Sequence, residues 1–239
     1  MNNTLRTIVF CSGFLATLVA AGAAQAQVYW RVDSGFSKSL KADIKDQDPS
    51  SFLICGDAAC NTPGKLDKDV GSSIILSGGV GRRFNPNMRA DVTLGFRGGY
   101  KLDDSDKSVP ATRFKADVKS LALMVNGYRD FPLAAWTPYV GAGLGFAQNK
   151  VGTISFDDGA GFTGTAPGGT KTGFAFAVMA GAGIPLGGLT LDVGYRFISL
   201  GKIESSSSDV VIGGAVVPPP YGGVTGKLKA HELTVGLRF

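Results

Sequence analysis

The sequence predicts an all-β fold, an eight-stranded antiparallel β-barrel that crosses a membrane and follows an N-terminal signal peptide. Three observations predict it. Apolar and polar residues alternate over many segments, and these segments are separated alternately by a long polar stretch and a very short turn. The chain also begins like an exported protein. A helical membrane protein would need apolar runs of about 18 residues or more. The mean hydropathy of +0.14 is instead typical of strands that alternate apolar and polar positions.

The first 26 residues have the parts of a secretory signal peptide. A single positive charge precedes the apolar stretch 7–21, and an A-x-A cleavage site ends at Ala26. We expect cleavage after Ala26, which leaves 27–239 as the barrel domain; the alternative is an uncleaved N-terminal anchor. Cys11 lacks the small preceding residue that a lipoprotein site needs, so we expect it to be removed with the leader.

Two cysteines remain after that cleavage, Cys55 and Cys60. An even number of cysteines in an exported chain predicts a disulfide, here closing a short polar loop. A metal site is the alternative, but a chain with one His offers few further ligands.

The first predicted strand covers 28–37 and the second 71–84, with an Asn-Pro-Asn turn after the second. The third strand, 88–100, alternates most clearly. We expect one of its faces to contact lipid: Met88, Ala90, Val92, Leu94, Phe96, Gly98 and Tyr100. The other face is expected to line the lumen: Arg89, Asp91, Thr93, Gly95, Arg97 and Gly99.

The fourth predicted strand, 112–130, has a conflict in its pattern. Leu121 and Leu123 share a face with Lys115, Asp117 and Lys119. Either the charged part of the strand projects above the bilayer, which is our interpretation, or a β-bulge switches its faces.

The remaining strands are predicted over 137–148, 171–184, 189–202 and 226–239. In the first of them, Tyr139 and three glycines alternate with apolar residues, and the glycines leave room for larger neighbours in a narrow lumen. The short turns follow the second, fourth and sixth strands. Since bacterial barrels have short periplasmic turns, both termini are expected in the periplasm.

The last strand carries apolar residues at every second position and ends in an aromatic residue. This pattern looks like the signal that the barrel assembly machinery recognises by pairing with an edge strand; an ordinary amphipathic strand is the alternative. The residues of the candidate signal are Leu233, Val235, Leu237 and Phe239.

The segments 121–130 (LALMVNGYRD) and 137–146 (TPYVGAGLGF), together with 233–239, resemble the small outer-membrane β-barrels of Gram-negative bacteria. That family is the OmpA-like or opacity-like surface antigen class, also called the porin family. The resemblance implies a place in the outer membrane, exposure at the cell surface, and roles in envelope integrity, adhesion or immune recognition.

Ten polar residues are predicted to face the lumen, where opposite charges must pair or be hydrated. They are Arg31, Asp33, Arg89, Asp91, Arg97, Asn126, Asp192, Arg196, Glu232 and Arg238. An eight-stranded barrel is about filled by side chains, so we interpret the set as a polar core. The alternative is a gated, ion-selective pathway lined by the arginines.

An enzyme is not expected. Some small outer-membrane barrels act on lipids with a His/Ser pair, but His231 has no Ser two positions on, and Thr234 lies on the other face of its strand. The three alternating glycines of 141–145 lie within a strand rather than in a strand–turn–helix nucleotide motif. No metal, haem or flavin motif is present in the sequence, so no cofactor is expected.

The expected function is that of a non-enzymatic surface protein with a structural role in the envelope and an adhesion or surface-antigen role, or alternatively of a small porin. The net charge of +5 is spread along the chain without a basic run, which argues against a nucleic-acid partner and favours contact with outer-membrane lipid and lipopolysaccharide. The loops are expected to bind a host or surface ligand, and the segment 210–217 is unusually apolar for a loop tip.

Overall fold

The computed structural model describes residues 27–47, 65–105, 113–157, 163–206, 210–217 and 223–239. The predicted signal peptide, 1–26, and the predicted disulfide partners Cys55 and Cys60 lie outside the described residues, so both remain predictions. Within the described ranges the chain has no helix of the length and apolar character that a helical membrane span requires.

Alternating apolar and polar residues form eight long strands, as the sequence predicts. These strands are β1 (Gln27–Ser39), β4 (Ser72–Asn85), β5 (Met88–Ser105), β6 (Arg113–Asp130), β7 (Thr137–Val151), β10 (Gly169–Leu186), β11 (Leu189–Glu204) and β14 (Val224–Arg238). Six short strands complete the described structure: β2 (Lys41–Asp46), β3 (Lys65–Asp69), β8 (Ile154–Asp157), β9 (Thr163–Ala166), β12 (Val210–Ile212) and β13 (Ala215–Val217).

The eight long strands close into a ring. Each pairs antiparallel with the next, and β1 pairs with β14 to complete the circuit. The backbone of Trp30 exchanges two hydrogen bonds with that of Phe239, so pairing continues to the last residue. The predicted eight-stranded antiparallel barrel is confirmed.

The strand pairings also fix the stagger of the barrel. Ser120 on β6 pairs directly with Asn149 on β7, but the pairings followed the other way around the ring lead from Ser120 to Tyr139 on β7. The shear is therefore 149 − 139 = 10 residues over eight strands. Strands in closed barrels are inclined by about 35–45° to the barrel axis. Residues at the same height on neighbouring strands are therefore offset here by about one residue from the directly paired positions.

The outward positions form an apolar band, as expected for a barrel in lipid. Aromatic side chains mark both of its edges. On the side of the short turns they are Phe84, Phe131, Trp136 and Phe239, and on the opposite side Phe36, Phe96, Phe146 and Phe174, all well exposed. Such paired aromatic girdles are typical of membrane interfaces.

Two neighbouring face assignments on β5 are wrong. Gly99 was expected to line the lumen, but it is exposed. Tyr100 was expected on the lipid face with Phe96, but it is fully buried inside the barrel. The register of β5 shifts between Arg97 and Tyr100, where Gly99 has a φ of +95°. This β-bulge reverses the parity, so that Tyr100 points inward and Lys101 outward.

A second bulge lies in β11. Its register shifts between Ser199 and Lys202, and Gly201 has a φ of +80°. Lys202 shares the parity of the inward-facing Asp192 and Arg196, yet the bulge places it on the outside.

The conflict in the fourth predicted strand is resolved in favour of projection above the bilayer. Burial alternates along β6 from Arg113 to Asp130 without interruption, so no bulge switches its faces. Lys115 and Lys119 point outward, and Ala116 and Val118 between them point inward.

The interior consequently changes character along the axis. The end nearest the long loops has an apolar interior, which we call the upper core, and it includes Phe114, Val118, Leu200 and Leu228. The membrane level contains buried charged and polar side chains together with a few apolar ones such as Met124. Above the barrel, β8, β9, β12 and β13 extend the sheet from β6, and we call these four strands the extension sheet.

Candidate functional site

The inward-facing charges at the membrane level form a polar core built around Arg31. Its guanidinium donates two hydrogen bonds to Asp33, at 2.7 and 2.9 Å, and Nη1 donates to Asp91 and to the Tyr128 hydroxyl, both at 2.9 Å. Asn126 donates to the second oxygen of Asp91 at 2.8 Å. A carboxylate on β5 is thereby joined to side chains on β1 and β6 across the lumen.

A second cluster surrounds Glu232, which has no exposure to solvent. Arg97 donates to Oε1 at 2.6 Å, and Arg196 donates to Oε2 at 2.6 Å. The Ser37 hydroxyl also donates to Oε1, at 3.1 Å, and contacts Tyr100. The inward turn of Tyr100 at the bulge therefore completes this cluster.

Arg89 is held by a carboxylate and two aromatic rings. It donates to both oxygens of Asp130, at 3.0 and 3.1 Å. Its terminal nitrogens have no hydrogen-bond partner among the described residues, and its guanidinium carbon lies 3.9 Å from the ring centroid of Tyr128 and 4.6 Å from that of Tyr139. Cation–π attraction in a desolvated site stabilises such an arrangement.

The fourth inward pair is Arg238 with Asp192, at 3.1 Å. The Arg238 guanidinium also lies over the Tyr29 ring. The ion pairs of the polar core thus contain five arginines and five carboxylates: Arg31, Arg89, Arg97, Arg196 and Arg238 with Asp33, Asp91, Asp130, Asp192 and Glu232. Arg83 pairs directly with Arg89 across β4 and β5 and adds one further positive charge at the edge of this core.

Glycines make room for these side chains, as expected from their alternation. A Cβ on Gly181 would lie 2.5 Å from the Tyr139 hydroxyl, and one on Gly143 would collide with Asn126. The large polar side chains therefore occupy space that the neighbouring strands leave empty.

All ten residues predicted to face the lumen lie on the inner face of the barrel, Arg196 with some exposure. Sequence reasoning missed Asp130, Tyr29, Tyr128 and Ser37 as members of the polar core. Asp130 and Tyr128 share the inward parity of Asn126 on β6, a signal that was available.

The interior is closely filled. Between Arg31, Tyr128 and Arg196 the lumen leaves a cavity of ≈ 20 Å³, which accommodates only one or two water molecules. The upper core contains an apolar cavity of ≈ 40 Å³, bordered by Ile44 and Val118 among others. Within the described residues, no group of three or more His, Cys, Asp or Glu side chains is arranged to hold a metal ion.

A further concavity lies outside the lumen, on the extension sheet. It is a groove of ≈ 450 Å³. Lys115, Ser155 and Thr165 pair in one row across β6, β8 and β9, and all three side chains are exposed. Arg113 and Thr163 add polar groups to the same groove.

His231 points outward, where the Tyr195 hydroxyl contacts its Nδ1 at 2.5 Å and the two rings stack. Thr234 lies on the inner face, as its parity predicts. The residues of the candidate assembly signal all face outward and are well exposed: Leu233, Val235, Leu237 and Phe239. Their role in assembly remains a prediction.

Comparison with known proteins finds similar proteins that are named as adhesins or outer membrane proteins. The chain is 30% identical over 169 residues to a Rickettsia massiliae protein named as a candidate adhesin, covering 67% of this chain and 71% of the relative. It is 33% identical over 96 residues to outer membrane protein PagN of Salmonella typhimurium, covering 39% and 40%. Among solved structures, Neisserial surface protein A superposes with a TM-score of 0.46 at 17% identity, over 90% of this chain and 98% of that one.

The family model described as "outer membrane protein beta-barrel domain" matches residues 8–239. That range includes all eight barrel strands and both aromatic girdles. The predicted outer-membrane location is confirmed, and the chain belongs to the outer membrane protein β-barrel domain family.

Proposed function

We propose that the protein is a non-enzymatic surface barrel that does not conduct, and that its extension sheet and extracellular loops bind a surface ligand. The observation that carries this proposal is the filled interior: an ion-paired polar core at the membrane level and an apolar upper core above it. A barrel filled in this way is a rigid support for the surface that it presents.

The rival function, a small porin, would need a continuous water path. Opening a water path at the level of Glu232 would separate a fully buried carboxylate from two arginines. Breaking a buried ion pair typically costs about 3–5 kcal/mol. Ions would also have to cross the upper core, where Val118, Leu200 and Leu228 point inward.

Planar-bilayer recording tests the closed lumen. Purified, refolded protein is expected to give no steady ion-selective openings under conditions in which a known porin conducts. Steady openings, with selectivity altered by substitution of Arg97 or Arg196, would overturn the proposal in favour of the porin.

The binding role is supported by the groove on the extension sheet. The row Lys115, Ser155 and Thr165 offers one cation and two hydroxyls on directly paired positions of neighbouring strands, which suits a polar ligand such as a glycan. The relative named as a candidate adhesin is 30% identical over 67% of this chain, which supports a role in surface interaction.

Cell adhesion tests this role. The triple variant Lys115→Gln, Ser155→Ala, Thr165→Ala should bind host cells or matrix several-fold less than wild type at equal surface amount. Exposed charges outside the groove provide the control, Asp43→Asn with Lys45→Gln on β2. Unchanged adhesion of the groove variant, or an equal loss in the control, would contradict the assignment.

A role in envelope integrity is proposed alongside binding, and a deletion strain separates the two. Loss of the protein should raise sensitivity to detergent, and the groove variant should restore resistance because its barrel is intact. Failure of wild-type protein to restore resistance would remove the structural role and leave the binding role to stand alone.

A further inference from the structure

Lysines surround the barrel just above the aromatic girdle on the side of the long loops. Seven of the eight barrel strands carry one, on the outer surface or half-buried, and β4 has Ser72 at the corresponding place. The seven residues, which we call the lysine ring, are Lys38, Lys101, Lys119, Lys150, Lys171, Lys202 and Lys229.

The ring lies at one height. When the shear of ten residues is distributed over the eight strands, its members fall within about three residues of a common level. The phenylalanines of the girdle, among them Phe36, Phe96 and Phe174, lie directly below it. A charged layer next to an aromatic girdle is at the depth of lipid head groups.

Two lysine pairs are opposed across neighbouring strands. Lys119 pairs with Lys150 between β6 and β7, and Lys202 pairs with Lys227, the next outward lysine above Lys229, between β11 and β14. Directly opposed side chains have Cβ atoms about 5 Å apart, and like charges in that position are destabilising. Within the described part of the chain, none of these four lysines has an ion-pair partner.

The two β-bulges determine the direction of two lysines of the ring. Without the bulges at Gly99 and Gly201, Lys101 and Lys202 would point into the barrel by the parity of their strands. Each bulge turns its lysine outward at the level of the ring. Of these two lysines, Lys101 lies opposite Asp117 on β6, whereas Lys202 lies opposite Lys227 on β14, so the bulge at Gly201 creates one of the two opposed lysine pairs.

We propose that the lysine ring, together with the adjacent Lys227, binds the phosphate groups of the phosphorylated glycolipid of the outer leaflet, with the pairs Lys119–Lys150 and Lys202–Lys227 as the principal sites. A phosphate group carries up to two negative charges and accepts from several donors, so one phosphate neutralises an opposed lysine pair. The proposal rests on the outer-membrane location and is independent of the closed lumen and of the groove.

The test uses protein refolded in zwitterionic micelles with bisphosphorylated lipid A as the probe. The measured quantity is the lipid A concentration that gives half of the maximal rise in unfolding temperature, followed by the folded band on unheated gels. The variants are K119Q/K150Q, K202Q/K227Q and all four substitutions together. Each pair variant should need roughly tenfold more lipid A, and the fourfold variant should show no rise.

The stability of the pair variants without lipid A distinguishes binding from a structural role of the lysines. Without lipid A, each pair variant should be at least as stable as wild type, because the repulsion between opposed lysines is gone. Arg129 provides the matched control, since it faces outward on the same strand as Lys119 but near the opposite end. R129Q should leave the response to lipid A unchanged.

Three outcomes would overturn the proposal: a full response of the fourfold variant to lipid A, an equal response of wild type to dephosphorylated lipid A, or an equal response to phosphatidylglycerol. The last result would assign the ring to anionic lipids in general. Since none of these measurements involves conductance or adhesion, failure here leaves the proposed function to its own tests.

Discussion

At the scale of single residues, the Glu232 carboxylate accepts hydrogen bonds from three strands. Its partners are Arg97 on β5, Arg196 on β11 and Ser37 on β1, and no water-exposed surface remains on it. Desolvation of an ion pair is offset only when the geometry is close and the remaining lone pairs are satisfied. Both conditions hold here, so the cluster depends on the charge of this one side chain.

Glu232→Gln keeps the shape of the side chain and removes its charge. Two arginines would then lack their counter-charge, and we expect the free energy of unfolding to fall by about 3–5 kcal/mol. Guanidinium titration of the protein in lipid vesicles, followed by tryptophan fluorescence, measures the change. Glu204→Gln is the control, because its pair with Lys171 is partly exposed and is worth at most about 1 kcal/mol. Similar losses in the two variants would refute the special weight given to Glu232.

At the scale of strands, alternation with a period of two was enough to predict the eight barrel strands and nearly every face. It fails where parity changes within a strand. Gly99 at a bulge cannot be told from Gly95, which faces the lumen without a bulge, because a sequence does not reveal φ. The partners in the polar core were equally hidden, since a contact such as Arg97 with Glu232 depends on the shear and curvature of the closed barrel.

Cysteine labelling tests the parity change in β5. In a background carrying Cys55→Ser and Cys60→Ser, Lys101→Cys should react quickly with a water-soluble maleimide and Tyr100→Cys slowly, since Tyr100 is buried. Simple alternation from Phe96 would give the opposite order. The pair Lys119→Cys and Ser120→Cys on the regular strand β6 calibrates fast and slow reaction.

The last strand allows a test that separates assembly from stability. If the assembly machinery recognises the terminal aromatic residue, Phe239→Ala should reduce the amount of protein in the outer membrane several-fold. The stability of the refolded protein should change little. Leu144→Ala removes a similarly exposed apolar side chain far from the C-terminus and should leave the amount unchanged. Equal reductions in both variants would point to lost lipid contact as the cause.

At the scale of the whole molecule, the barrel consists of two parts with opposite polarity. In the membrane its outside is apolar and its inside charged, while above the membrane Lys115 and Lys119 point outward and Ala116 and Val118 point inward. The upper part is thus organised like a water-soluble barrel on a membrane-embedded base. Because each part has its own interior, we expect the upper part to open without loss of the lower one.

Phe114→Ala tests this independence. Phe114 lies in the upper core and packs on Phe156 of the extension sheet, with ring centroids 6.3 Å apart. Truncating a buried Phe typically costs about 3–5 kcal/mol, and here that cost should fall on the upper part alone. On intact cells the variant should become sensitive to protease at 113–118, 154–157 and 163–166, yet still give the folded band on unheated gels, because the polar core below is unchanged. Glu232→Gln should show the reverse, with the folded band lost at lower temperature and the upper part still resistant until then. Simultaneous loss of both properties in Phe114→Ala would mean that the barrel unfolds as one unit despite its divided interior.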